Sequence, residues 1–205
     1  IERKLAERCT QAIRHNIFPG CVVGIVQKSG ERGVLPFGRF TYEKDSPPVT
    51  EDTIYDLASI TKSIPTASLA LKFVDERKLR LADTVREYLP ELQNDHDATI
   101  EDLLLYRVLG VQLSKLRYKT FEEIQTHVFQ HGFNGPPDNR IYTNLPAFLL
   151  GMIVERVGGA SLGKLAHERF FEPLKMHHTT FFPSKSDCAP TEIDGRGEVQ
   201  GLPHD

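Results

Sequence analysis

Several kinds of residue and pattern are scarce in this sequence, and each scarcity excludes something. The three cysteines, Cys9, Cys21 and Cys188, are scattered, odd in number and lack paired CxxC spacing. They read as plain thiols, not as a zinc site or a disulfide framework. No apolar run approaches the ~20 residues that a membrane-crossing helix needs, so no membrane span is expected. There is no excess of positive charge: 25 Lys and Arg stand against 28 Asp and Glu, a formal net charge of −3. A nucleic-acid partner would want a basic face, so none is expected. The histidines, His96 and the pair His177-His178 among them, show neither HExxH nor two-His-one-carboxylate spacing. A P-loop and a GxGxxG are also missing, so the expectation is no metal and no cofactor. Internal repeats and low-complexity tracts are absent. The opening Ile1-Glu2-Arg3-Lys4 runs straight into charge without a starting Met. It reads as a processed or trimmed start, which leaves periplasmic, extracellular and cytoplasmic locations equally open.

What is present is ordinary globular composition, 40% hydrophobic and 26% charged over 205 residues. A chain of this length buries roughly 70% of its unfolded surface and folds without a staple. Residues 1–16 carry Leu5, Cys9, Ala12 and Ile13 on one helical stripe. Cys21–Val26 reads as a strand buried on both faces, and Val34–Tyr42 as its returning hairpin partner across the polar turn Lys28–Gly33. Thr53–Leu57 is a short extended piece. From Ser59 to about Arg77 the period turns helical, with Pro65 expected to remove a backbone bond and bend the helix. Asp83 and Thr99 read as helix N-caps, the latter forming a capping box with Asp102. Further helices are expected near 120–131, 145–157 and 161–171, with a polar Gly- and Pro-containing tail from Pro183.

The sharpest chemical signal is Ala58-Ser59-Ile60-Thr61-Lys62. A serine and a lysine three apart on a helix share a face. A serine hydroxyl is a weak nucleophile until a base takes its proton, and a lysine held beside it with a lowered pKa does that work. If Ser59 opens the helix, its own backbone N–H and the positive helix end stabilise the charge that develops on the attacked oxygen. The alternative is a serine N-cap beside a solvated lysine. Ser161-Leu162-Gly163-Lys164 has the same spacing, and after Gly158-Gly159-Ala160 it reads as that alternative. Context separates the two: an extended segment enters Ser59 and an apolar helix leaves it.

Ile141-Tyr142-Thr143-Asn144 is the second signal. A loop tyrosine near cations serves as a general acid or base once its pKa falls from about 10. Asn144 offers a donor and an acceptor for a lysine and a substrate amide. It also reads as the cap of a helix starting Leu145-Pro146.

With these two stretches in order, the sequence resembles the penicillin-recognising serine hydrolases, on the branch of class C β-lactamases, D-alanyl-D-alanine carboxypeptidases and related esterases. Leu81–Pro90, Thr99–Leu104, Glu172–Met176 with Thr179 and Phe181, and Gly201–Asp205 are similar to further landmarks of that family, in the family's order. The resemblance implies an α+β fold of the β-lactamase/transpeptidase type, an antiparallel sheet flanked by helices plus a helical subdomain. It divides the chain into residues 1–58, a helix and hairpin of the sheet domain; residues 59–182, a helical region starting with the nucleophile helix; and residues 183–205, a polar loop segment leading onward. It also implies an acyl-enzyme mechanism on a β-lactam, a D-amino-acid peptide or a short-chain ester. Ser59 would be the nucleophile, Lys62 and Tyr142 would move the proton, and Asn144 would orient Lys62 and the substrate amide. A catalytically incomplete fragment or a non-catalytic binding relative is the alternative.

Two departures qualify the likeness. The family's third motif, Lys or His, then Thr or Ser, then Gly, lies on a later strand. Lys28-Ser29-Gly30 matches it by letters only, in the hairpin turn. The chain therefore reads as lacking the later sheet strands, with a complementary C-terminal segment as an expected partner beside a small-molecule or peptide substrate. Leu105-Tyr106-Arg107-Val108-Leu109-Gly110 stands where the family reads Leu-Thr-His-Thr-Ser-Gly, so the wall behind the site is expected to be altered.

Overall fold

The computed structural model describes residues 2–195 and 197–203. It divides into two compact units, Ile1–Leu57 with Phe181–His204, and Ala58–Thr180.

In the first unit, helix α1 (Glu2–Arg14) leads into strands β1 (Gly20–Val26) and β2 (Arg32–Gly38). The strands pair antiparallel, Cys21 opposite Phe37 and Ile25 opposite Gly33. The close turn into β1 needs glycine: a Cβ on Gly20 would lie 2.4 Å from the Arg39 carbonyl oxygen. β2 ends at Gly38, earlier than the expected Tyr42, because Gly38 takes φ 75° and turns the chain out of the ladder. β1 is not buried on both faces either. Its residues are half-buried or exposed, and Val26 is largely exposed. Its β-branched run signals a pleated surface that one two-stranded sheet leaves partly open. Cys9, Cys21 and Cys188 are all free thiols. Burial, then the neighbouring Cys9, push the Cys21 thiol up to about 11. The tail expected as loop carries a small hairpin, β3 (Glu192–Asp194) with β4 (Gly197–Val199). Its strands are too short for a period-2 pattern to show in the sequence.

The second unit holds the main hydrophobic core. Helix α2 (Ser68–Asp75) contributes Leu69 and Phe73, α3 (Val85–Tyr88) Val85, α4 (Ile100–Leu104) Ile100 and Leu103, α5 (Phe121–His131) Val128, and α6 (Leu145–Gly158) Leu145, Leu149 and Ile153, with Leu165 of α7 (Leu162–Ala166). Burying such side chains is worth about 1.5–3 kcal/mol each. Helix starts follow local chemistry. Thr99 accepts from the Asp102 N–H and Thr120 from the Glu123 N–H, and in each case the N3 carboxylate returns a bond to the cap's N–H. Asp83 is not a cap. Thr84 takes that role with Glu87, while Asp83 is buried and accepts from the Tyr88 hydroxyl and from Arg80 Nε. The expected helix from Ser59 to Arg77 is also interrupted. Residues Lys62–Ala67 form a widened π-type turn with Ile64 in extended geometry (φ −122°, ψ 108°) ahead of Pro65. The proline ring disfavours the helical conformation at the residue before it. The regular α-helix resumes only at Ser68. No single helix among the described residues is long and apolar enough to cross a membrane, and no group of three or more His, Cys, Asp or Glu is placed to hold a metal ion.

Candidate active site

Ala58, Ser59, Lys62, Tyr142 and Asn144 all belong to the second unit. Ala58 has a left-handed backbone (φ 45°), a conformation that costs a residue with a Cβ about 1 kcal/mol or more. Two tight turns follow, with the Thr61 N–H bonding the Ala58 carbonyl and the Lys62 N–H bonding the Ser59 carbonyl, each at 3.1 Å. This winding brings the lysine back over the serine, and Lys62 Nζ donates to Ser59 Oγ at 2.7 Å. Ser59 is exposed and Lys62 half-buried, so the hydroxyl is accessible and the amine is held by its surroundings. An amine at that distance lies on the path a serine proton must take when the amine is neutral.

The second Ser-x-x-Lys pair is arranged differently. Ser161 accepts from the Lys164 backbone N–H and caps α7, while Lys164 Nζ faces Glu168 at 3.8 Å. Identical spacing thus yields a hydroxyl–amine pair once and a helix cap once.

Tyr142 reaches the first pair from a distant loop. Lys62 Nζ lies over its ring, 5.7 Å from the centroid. The hydroxyl of Ser59 and the ring of Tyr142 therefore flank one amine. Three backbone bonds place the loop: Asn134 N–H to the Leu109 carbonyl (2.8 Å), Asp138 N–H to the Arg107 carbonyl (2.9 Å) and Ile141 N–H to the Tyr106 carbonyl (2.9 Å). Gly110 bridges Phe133 at the far end of this contact. The altered segment 105–110 is thus the surface on which the tyrosine-bearing loop is laid. Tyr106 itself stacks on Tyr142, with ring centroids 5.2 Å apart and planes at 23°. Burial, then Tyr142, raise the Tyr106 phenol above its ordinary value, against an opposing pull from Arg140. Sequence reasoning marked this segment as a departure without finding that its tyrosine touches the candidate site. The signal was an aromatic residue where the family has a small hydroxylic one.

Asn144 stands at the N-cap position of α6, with Pro146 in the first turn, but in helical geometry (φ −78°, ψ −25°) and without a side-chain capping bond. The expected capping role of its side chain is therefore not used. Thr143, between Tyr142 and Asn144, turns its hydroxyl into the interior, where it has no hydrogen-bond partner. Lys28-Ser29-Gly30 lies in the β1–β2 turn, with Gly30 at φ 87° and its N–H bonded to the Gln27 carbonyl. The likeness at Gly201–Asp205 falls partly on residues 204 and 205, outside the described residues.

Comparison with known proteins shows the family and the fold. A putative D-alanyl-D-alanine carboxypeptidase of Escherichia coli (strain K12) is 30% identical over 165 residues, covering 70% of this chain and 37% of its own length. The solved structure of D-alanine carboxypeptidase AmpC from Burkholderia cenocepacia superposes with a TM-score of 0.79 at 23% identity, over 97% of this chain and 59% of that one. The octameric penicillin-binding protein homologue from Pyrococcus abyssi gives 0.79 at 24% identity, over 97% and 50%. The fold is thus the α+β fold of β-lactamases and penicillin-binding proteins, and the chain spans about 37% of the curated relative's length. The Beta-lactamase family model matches residues 6–204, and the chain belongs to that family.

Proposed function

We propose that this protein is a serine hydrolase working through an acyl-enzyme, with Ser59 as nucleophile. The observation that carries the reading is the 2.7 Å contact between Lys62 Nζ and Ser59 Oγ, with Tyr142 on the same amine. Ser59 Oγ attacks a carbonyl carbon and Lys62, in its neutral form, takes the hydroxyl proton. The tetrahedral intermediate collapses as Tyr142 passes a proton to the leaving group, an amine or an alcohol. Water then gives a proton to the Tyr142 phenolate as it attacks the acyl-serine, and Lys62 returns its proton to the departing Ser59 Oγ, which restores all three groups. Asn144, whose amide is not spent on its helix, orients Lys62 and the substrate amide. A relative is named a putative D-alanyl-D-alanine carboxypeptidase, which supports D-amino-acid peptides as the substrates to try before β-lactams and short-chain esters. Full activity draws on a further segment carrying the Lys/His-Thr/Ser-Gly strand, whose backbone would supply a second oxyanion donor. Losing one such donor typically costs ~10²–10³ in rate.

A fluorescent penicillin or fluorophosphonate tests the reading. Covalent labelling that disappears in Ser59→Ala and persists in Ser161→Ala supports it. A folded full natural polypeptide that takes no label overturns it in favour of a binding relative, and equal labelling in Ser59→Ala overturns Ser59 as the nucleophile.

A further inference from the structure

We propose that Tyr106 is a positioning residue that holds the Tyr142 phenol in its working orientation, an inference that rests on the reading of Tyr142 as a proton carrier. Tyr142 is largely exposed, at 62%. An exposed tyrosine ring samples several rotamers unless something fixes it. Tyr106 fixes this one twice. Its ring stacks on Tyr142 at 5.2 Å, and its carbonyl accepts the N–H of Ile141, the residue immediately before Tyr142. Both contacts come from one residue whose backbone is itself left-handed, at φ 58°. A bulky side chain rarely takes that conformation unless its surroundings hold it there. The neighbours supply the hold: Tyr106 N–H bonds the Leu103 carbonyl on α4, and Arg107 N–H bonds the Asp102 carbonyl. The strained residue sits between a rigid helix and the loop bearing the phenol. It transmits the helix position to Tyr142 through stacking and one peptide bond.

The stack is aromatic and not hydroxyl-dependent, so phenylalanine at position 106 should serve and an aliphatic residue should not. The test uses the full natural polypeptide with Tyr106→Phe, Tyr106→Leu, Tyr106→Ala, Tyr142→Phe and the double variant Tyr106→Ala/Tyr142→Phe, each checked for fold by circular dichroism. Two readouts are taken: the rate of labelling at Ser59 by a fluorescent penicillin, whose leaving group is an amine, as a function of pH, and the ring signal of Tyr142 in a ¹³C-tyrosine NMR spectrum. Tyr106→Phe should label within about two-fold of the parent, and Tyr106→Leu and Tyr106→Ala about ten-fold or more slowly with an altered pH profile. The double variant should be no slower than Tyr142→Phe alone, since Tyr106 acts only through Tyr142. The Tyr142 signal should move in Tyr106→Leu but stay near its place in Tyr106→Phe. Multiplying effects in the double variant, parent-like labelling in Tyr106→Leu, or an unmoved Tyr142 signal each overturn the proposal. If the parent takes no label at Ser59, the acyl-enzyme reading fails, and the NMR signal alone still decides whether Tyr106 holds the ring. Full-rate labelling in Tyr142→Phe removes the proton-carrier role and overturns both.

Discussion

Lys62 donates to Ser59 Oγ at 2.7 Å, whereas Lys164, at the same spacing from Ser161, turns its amine away to Glu168 at 3.8 Å. The difference lies in the backbone leading into each serine. Ala58, with φ 45°, starts a tight turn that carries Lys62 back over the hydroxyl. Ser161 opens its helix in extended geometry (φ −61°, ψ 151°), so its oxygen meets the N–H three residues on. Lys62→Met should therefore slow labelling of Ser59 by ~10²–10⁴-fold, the usual worth of a positioned acid or base. Lys164→Met should stay within about two-fold of the parent. Labelling kinetics of the two variants, side by side, check this.

Asn144 is expected to matter for chemistry and hardly at all for stability. Its side chain makes no capping bond, so Asn144→Ala should change the unfolding free energy by less than about 0.5 kcal/mol. Thr120→Ala removes a capping box that satisfies two backbone donors and should cost about 1 kcal/mol. Urea unfolding measures both, and Asn144→Ala should slow Ser59 labelling while Thr120→Ala should not.

These contrasts show where the sequence was legible. The capping box at Thr99 was readable because its chemistry is confined to four consecutive residues, and the like box at Thr120 went unread. The hairpin, expected as Cys21–Val26 with Val34–Tyr42, was readable in its existence because an apolar β-branched run, a polar turn and a partner lie within one short span, while its end at Gly38 and its partial exposure were not. The same local reasoning misplaced Asp83. A carboxylate before a helix looks like a cap, and only the fold shows that Tyr88 and Arg80 claim it first. At Pro65 a bend was expected, but the wide turn around Ile64 that delays α2 until Ser68 was not. Tyr106 was least legible. Its partner is 36 residues away, and the stacking depends on three backbone bonds between two irregular segments that have no periodic signature.

Acid should weaken the protein through Asp83. The Tyr88 hydroxyl, then Arg80, hold this buried carboxyl below its ordinary value despite the opposing effect of burial. A carboxyl lowered in the folded state stabilises the fold at pH above its unfolded value of about 3.9. That contribution fades as pH falls through the lowered folded-state value. Asp83→Asn should therefore cost about 1–3 kcal/mol near neutral pH, because it leaves Tyr88 and Arg80 poorly paired. Melting temperatures of parent and variant should converge below about pH 4. A gap that stays constant as pH falls well below that point would refute the assignment.

Two glycines separate a packing role from simple helix content. Gly151 lies within α6, where an added Cβ meets only Thr66 Cγ2, at an ordinary 3.9 Å. Gly151→Ala should stabilise the protein by roughly 0.5–1 kcal/mol, because glycine is the poorer helix former and nothing need move. Gly110 is the opposite case. A Cβ there would sit 2.5 Å from the Gly132 carbonyl oxygen and 2.8 Å from Leu145 Cδ2, the first contact being backbone that yields only by shifting the chain. Gly110→Ala should cost about 1–3 kcal/mol as an overpacked site. The shift it forces falls where residues 106–110 hold the loop that carries Tyr142, so it should also slow Ser59 labelling, while Gly151→Ala leaves that rate unchanged. If Gly110→Ala lowers stability yet labels at the parental rate, the backbone contact between these segments does not position the phenol, and the route from the 105–110 segment to the candidate site is wrong.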